Sequence, residues 1–245
     1  MTPDLTEAVI HRVTRLDLRV EPWAWPFVAQ RGPEIAAHFA EKQREKPALW
    51  NGPVLLGREP VFGSGLLQAS YFETDFASLL AWRDWGYPDR GVFNGFGMGA
   101  LRSADGAFVL GQMGEQTANA GRIYFPAGTP DPDDVSDGAL DIAASVAREV
   151  EEETGLTPHD YQACAHWDCV VTGASIAMMR ILDVAAPGDR LQRRIEANLA
   201  AQTDPELSAI RLVRSKGDLT ASMPRFVTAY LEAQFDDGND GTSRR

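Results

Sequence analysis

Two periods divide this chain near residue 90. Upstream, residues 13–20 place Leu16, Leu18 and Val20 on one face of an expected strand. Ile35, Ala36, Phe39 and Ala40 then recur at helical spacing, predicting a helix with Pro33 in its first turn and Pro47 beyond its end. Thr74 is the expected N-cap of a second helix that runs through Trp82 and Asp84 to a stop at Gly86. From Val92 the pattern changes to strands. Residues 93–101 and 107–113 predict a hairpin around Ser103-Ala104-Asp105-Gly106, and Ile123-Tyr124-Phe125 leads toward Gly128. A helix capped by Asp141 and stopped at Gly155 turns Ala143, Val146, Ala147 and Val150 toward a core. A second hairpin over 161–171 and 175–184, a polar helix over 190–199 and a short strand over 209–213 follow. A closing helix over 224–235 has Phe226, Val227, Tyr230 and Leu231 inward. The expected organisation is an N-terminal α+β region over 1–90 that is open to contributing to substrate binding. A second domain spans 91–235 and a disordered tail 236–245, with the boundary at 86–91.

Gly95-Phe96-Gly97-Met98-Gly99 invites comparison with a dinucleotide-binding fingerprint, but its glycines alternate and no strand-to-helix passage follows. Close backbone packing in a sheet is the favoured reading. The 141–155 helix is more telling. At about 100° per residue, Glu149, Glu152 and Glu153 share one narrow stripe, and Glu151 points elsewhere. Adjacent like charges cost a helix a few tenths of a kcal/mol per pair. A divalent cation turns that penalty into a site, because Mg²⁺ prefers carboxylate oxygens together with substrate phosphates. Arg148, one turn before Glu152, is spaced to hold its carboxylate.

Composition narrows the classes. The chain has 245 residues, 44% hydrophobic and 24% charged, which suits a globular protein with a substantial core. No apolar run reaches the roughly 20 residues that cross a bilayer, and the start, with Asp4 and Glu7, lacks a signal-peptide pattern. A net charge of −12 argues against broad contact with nucleic-acid phosphates, while leaving room for a local basic pocket. Cys164 and Cys169, five positions apart in an expected strand, face opposite sides of it. Neither a disulfide nor a metal shared with His166 is expected, and free thiols in a reducing cytoplasm are the better account.

Residues 148–156, Arg-Glu-Val-Glu-Glu-Glu-Thr-Gly-Leu, match every specified position of Arg-Glu-U-x-Glu-Glu-x-Gly-U, the second half of the Nudix box. The chain therefore resembles the Nudix hydrolases over about 91–235. That resemblance implies an α/β fold, a Nudix-type α/β/α sandwich with a mixed sheet, here preceded by the N-terminal α+β region. It also implies Mg²⁺-dependent (or Mn²⁺-dependent) hydrolysis of a phosphoanhydride in a nucleoside diphosphate linked to another group. By resemblance, Glu149 and Glu153 are the leading metal ligands, with the Gly128 carbonyl beside them. Glu152 is a further ligand or the general base, Arg148 orients these carboxylates, and Glu206 is a candidate downstream acid. The loop half departs from the motif. Pro126-Ala127-Gly128 stands for Pro-Gly-Gly, and Gly128 precedes Arg148 by 20 positions where the motif has 14. The extra residues fall within 129–140. The motif's upstream Glu is missing: counting back from Arg148 gives Leu140, counting forward from Gly128 gives Asp134, and Asp131, Asp133, Asp134 and Asp137 are the stand-ins available.

Substrate choice is less legible. The segment 47–52, Pro-Ala-Leu-Trp-Asn-Gly, followed by 71–84, resembles the N-terminal region of Nudix proteins that hydrolyse UDP-sugars, so a nucleotide sugar is favoured. Coenzyme A, ADP-ribose and a non-catalytic nucleotide-binding regulator are the alternatives. One or two of Trp23, Trp25, Trp50, Trp82, Trp85 and Trp167 are candidates for stacking on a base, and Arg122 is a candidate phosphate contact. The expected partner is a small molecule, with no nucleic acid and no membrane, in a cytoplasmic protein that is free to be a homodimer.

Overall fold

The computed structural model describes residues 7–240. At its centre β5 (Val92–Ser103) runs parallel to β12 (Ser175–Val184), with Asn94 opposite Ser175 and Ser103 opposite Val184. β11 (Trp167–Thr172) folds back on β12 across Gly173, and β1 (Ala8–Val13) pairs antiparallel along its outer edge. β10 (Tyr161–Ala163) also pairs with β12. On the other side, β6 (Phe108–Met113) turns back from β5 and carries β7 (Ile123–Tyr124) and β13 (Leu207–Val213).

The N-terminal region extends this sheet. β3 (Pro53–Gly63) and β4 (Leu66–Asp75) form a long hairpin through Ser64-Gly65, whose φ angles of 51° and 73° suit a primed two-residue turn. β2 (Arg15–Val20) lies parallel to β4, and β3 joins β5 where Gly57 faces Phe93. With β8 (Val135–Ser136) and β9 (Ala139–Leu140), all the strands make one 13-stranded mixed sheet. Leu55 and Leu56 show its two faces: Leu55 enters the large core shared with β5 and β12, and Leu56 a smaller core beneath the first two helices. The expected single strand over 13–20 is two strands, because the N–H groups of Thr14 and Arg15 both turn to the Gly65 carbonyl.

Helix α1 (Pro26–Glu45) begins before Pro33 and breaks at Arg31, where φ is −123°. Pro33 explains the break, since its ring has no N–H to donate and crowds the preceding turn. Phe27, Ile35 and Phe39 are buried, whereas Ala36 and Ala40, expected inward, are exposed one position round the helix. Helix α2 (Phe76–Asp84) is capped by Asp75 rather than Thr74: the Asp75 carboxylate accepts the Ser78 N–H at 2.8 Å.

Helix α3 (Ile142–Thr154) packs on β5 where the alternating glycines lie. A Cβ on Gly97 would stand 2.5 Å from Val146 and 2.7 Å from Ile142, and one on Gly99 2.5 Å from Val150. Gly97 and Gly99 thus seat the helix on the sheet, a use beyond the close packing within a sheet that the alternating glycines had suggested, while Gly95 faces Tyr71 and Phe93. Phe96, pointing the other way, meets Phe226 of α5 (Arg225–Asp240) edge-on, so helices cover both faces of β5. This is the α/β/α sandwich expected. Helix α4 (Gly188–Ala201) lies against α3 and β13. The closing helix continues through Asp240, beyond the expected end at 235, and 241–245 lie outside the described residues, as does Asp4.

Candidate active site

Asp141 caps α3, accepting the N–H groups of Ala143 and Ala144 at 3.0 Å, and Gly155 ends it in the left-handed region at φ 69°. Val146 and Val150 face the core as expected, and Ala143 is exposed. This orientation grades the acidic stripe by depth. Glu153 is 5% exposed, the Glu149 side chain 13% and the Glu152 side chain 61%. Glu151 faces solvent, away from the stripe.

Backbone groups of the 126–130 loop fix what lies over these acids. Gly99 N–H donates to the Pro126 carbonyl at 3.1 Å, and Leu55 N–H to that of Pro130 at 2.7 Å, so β5 and β3 both hold the loop. Ala127 N–H donates to Glu153 Oε1 at 3.4 Å. Gly128 lies directly against Glu149: a Cβ there would be 2.2 Å from Oε1 and 2.4 Å from Cδ. The lack of a side chain at 128 thus lets the loop backbone approach the Glu149 carboxylate this closely.

The electrostatics follow from that enclosure. Desolvation, reinforced by Glu152 and Glu206 against the opposing pull of Arg148, pushes the Glu149 carboxyl up to about 7. Burial and the neighbouring Glu149 raise Glu153 well above the ordinary carboxylate range. Glu206, immediately before β13, is raised by desolvation and by Glu152; its carbonyl accepts the Gly114 N–H at 2.7 Å. Burial works against the Arg148 charge, but Asp134 and Glu149 outweigh it and the guanidinium is held protonated. Arg148 Nη1 is 2.9 Å from Glu149 Oε1 and 3.8 Å from Glu152 Oε2, so its nearer carboxylate on the helix is Glu149 rather than Glu152.

The structure also resolves the upstream acid. Asp134, 6% exposed, accepts from Arg148 Nη2 at 2.9 and 3.1 Å and from Ser145 Oγ at 3.1 Å. Leu140, the other position reached by counting, is a buried apolar residue. The extra residues are therefore those between Asp134 and Asp141. They form the β8–β9 hairpin, turning through Asp137-Gly138 with φ 50° and 72°, and the Asp141 N–H closes it onto the Asp134 carbonyl at 2.9 Å. Arg19 of β2 pairs with Ala139, tying the hairpin to the N-terminal strands.

Beside Gly128 opens a cleft of about 460 Å³, walled by Phe76 and Arg83 of α2, Asn94 and Phe96 of β5, Arg122, and Phe226 of α5. Asn94 Oδ1 is buried there with no partner among the described residues. None of the six tryptophans lines this cleft. Trp25, Trp82 and Trp167 are core residues, and Trp50 is 76% exposed elsewhere. The ring surfaces available to a ligand are those of phenylalanine and tyrosine, whose placement required the pairing of β5 with β3 and β12.

The NUDIX domain profile matches residues 94–219, just over half of the chain. The chain belongs to the Nudix hydrolase family. Among solved structures, it is similar to a Nudix hydrolase from M. smegmatis, RenU. Identity is 14% and TM-score 0.33, over 61% of this chain and 84% of that one. It is also similar to a MutT protein from Methanosarcina mazei Go1, at 22% identity and TM-score 0.35, covering 60% of this chain and 95% of that one. A bifunctional NMN adenylyltransferase/ADP ribose pyrophosphatase from Francisella tularensis gives 11% identity and TM-score 0.38, over 64% and 45% of the two chains. A search of curated proteins gave no match. The family rests on the domain match.

The acids suit a hard divalent cation. Glu149 and Glu153 offer carboxylate oxygens and are largely withdrawn from water, and Glu149 raises the proton affinity of Glu153, a repulsion that a cation relieves. Among the described residues no three acidic, His or Cys side chains already stand in a metal-holding group, and the Glu149 carboxylate is turned onto Arg148. No helix among the described residues is long and apolar enough to cross a membrane. Cys164 and Cys169 are free, Cys169 being buried with its thiol pushed up to about 12 by desolvation.

Proposed function

We propose that this Nudix protein hydrolyses the phosphoanhydride bond of a nucleoside diphosphate derivative, with a nucleotide sugar as the favoured substrate. The observation that carries this reading is the approach of Gly128 to Glu149, because Gly128 also lines a cleft of about 460 Å³. Glu149 and Glu153 would hold Mg²⁺ or Mn²⁺, with the Gly128 carbonyl and Glu152 as further donors. A bound metal supplies neutralisation of the bridging phosphates and a more acidic water. Glu152, the most solvent-facing of the three, has the access that a general base needs. Arg148 acts on Glu149 by direct contact, and Asp134 fixes Arg148 from behind. Glu206 adds negative potential to the same cluster.

The nucleotide-sugar preference is supported by the way the N-terminal region joins the cleft. Phe76, Leu79, Arg83 and Tyr87, within or next to the 71–84 segment, supply one wall. The unpartnered Asn94 Oδ1 suits an N–H on a base edge or a sugar hydroxyl, since a buried acceptor without a partner is costly. Purified protein assayed with Mg²⁺ against UDP-glucose, ADP-ribose, coenzyme A and nucleoside triphosphates tests the reading. Turnover of UDP-glucose above the others is expected. Tight binding without turnover of any of them would make the protein a binding module instead. Glu152→Gln should lower turnover by about 10²-fold or more while the melting temperature holds, and an unchanged rate would remove Glu152 from the chemistry.

A further inference from the structure

We propose that a basic pocket between the N-terminal helices and the approach to β7 binds an anionic group that the substrate carries apart from its anhydride: a carboxylate or a phosphate monoester. The proposal deepens the nucleoside-diphosphate reading and rests on it for the placement of the anhydride. Lys46 after α1, Arg83 in the last turn of α2 and Arg122 before β7 line a cavity of about 420 Å³ with Ala118, Asn119 and Ala120. Three cations from separate elements thus meet in a lining that contains no acidic side chain, in a chain of net charge −12. A random surface of this chain would carry more acids than bases, so the local reversal of sign calls for an anionic occupant.

Their existing partners leave most of that charge free. Arg122 makes no side-chain hydrogen bond or ion pair among the described residues. Lys46 Nζ donates to the neutral carbonyl of Thr117 at 2.6 Å and keeps two further N–H groups. Arg83 meets the adjacent Asp84 through Nε at 3.2 Å, which leaves its outer nitrogens for another oxyanion, and Asp84 is itself shared with His38 and Lys42. Two arginines and a lysine suit an oxyanion better than a neutral sugar, because a guanidinium binds two oxygens in one plane and the ammonium adds a point charge.

The pocket is continuous with the cleft: Arg83, Ala118, Asn119 and Arg122 line both. A ligand with its anhydride at Gly128 therefore reaches this pocket without crossing the protein. The N-terminal region acts here as a selector, since two of the three cations belong to it.

Two ligand pairs separate the sources. UDP-glucuronic acid differs from UDP-glucose by a carboxylate, and ADP-ribose 2′-phosphate from ADP-ribose by a phosphate monoester. Calorimetry on the Glu152→Gln protein with Mg²⁺ should show at least about tenfold tighter binding for the charged member of one pair, and the pair that responds identifies the anion. In the same background, Lys46→Ala with Arg83→Ala should bring that ratio to about one, and Lys46→Arg with Arg83→Lys should restore part of it. Melting temperatures establish that each variant is folded. A ratio near one in both pairs overturns the proposal, as does a preference that survives the double alanine change, or no binding of any of the four. If the wild-type protein turns over none of them while the charge preference appears and is lost as described, the pocket stands and the hydrolase reading fails.

Discussion

Replacing Asp134 by alanine tests how the loop half of the site is held. Asp134 is 6% exposed and accepts from Arg148, Ser145 Oγ and, at 3.2 Å, the Asp131 N–H. Removing one partner of a buried ion pair costs about 3–5 kcal/mol, chiefly because the other charge is stranded. Arg148 is less stranded than that: its side chain is 37% exposed and it keeps Glu149. Screening by water therefore reduces the expected loss to about 2–3 kcal/mol. At roughly 2–4 °C per kcal/mol for a chain of this size, the melting temperature should fall by about 5–10 °C.

The functional effect should outlast the thermal one. Without Asp134, Arg148 is free to close further over Glu149 and Glu152, competing with a cation for the same oxygens. The half-saturating Mg²⁺ concentration, measured well below the melting transition, should rise about tenfold or more. Asp134→Asn keeps the volume and one acceptor but not the charge, so it should lie between wild type and alanine on both readouts. A melting temperature within about 1 °C of wild type and an unchanged Mg²⁺ profile for Asp134→Ala would refute the reasoning. The role of the missing glutamate would then have to be sought elsewhere.

Three other changes probe separate links. Gly128→Ala pushes a methyl group into the Glu149 carboxylate, the far end of a flexible side chain. Melting should change by less than about 1 kcal/mol while activity falls sharply; equal activity would show that the Gly128–Glu149 approach is incidental. Gly97→Ala drives a Cβ into Val146 and Ile142, so chemical denaturation should report a loss of about 1–3 kcal/mol, and a neutral result would mean that α3 does not rest on that glycine. Asp160 is held down to about 2, first by Arg194 and then by the Thr157 N–H, below its unfolded value near 3.9. Its contribution is present above about pH 4 and is lost as pH falls toward about 2. Asp160→Asn should therefore lower the melting temperature at pH 7 but not at pH 2, and an equal deficit at both would remove the charge from the explanation.

What the sequence revealed was mostly what short-range geometry decides. The cap at Asp141, the stop at Gly155, the grouping of Glu149 with Glu152 and Glu153, and the hairpins around Gly106 and Gly173 all depend on neighbours within a turn or two. The long β3–β4 hairpin was missed although Ser64-Gly65 is a turn signal. Its strands carry Arg58, Glu59 and Pro60 in the middle of β3, which breaks the alternation, and the register shifts there. Asp134 could not be chosen over Leu140 by counting, because the count changes by the length of a hairpin whose own place in the sheet is fixed by Arg19. The cleft was out of reach for a similar reason: α2, β5 and α5 meet there only through long-range pairing.

The same distinction explains why a loop interrupted by six residues can still serve an intact helix. An insertion disturbs a site only if it changes where the chain leaves and re-enters it. Here Asp134 N–H donates to the Asp131 carbonyl at 3.1 Å before the hairpin begins, and Asp141 N–H returns to the Asp134 carbonyl after it. Both ends are thus pinned at the residue that also grips Arg148. The hairpin extends away from the acids to pair with β2, and its hydrogen bonds are satisfied outside the site. Shortening the turn at Asp137-Gly138 should consequently cost stability through β2 while sparing Arg148, whereas breaking the Asp134 junction should disturb both together.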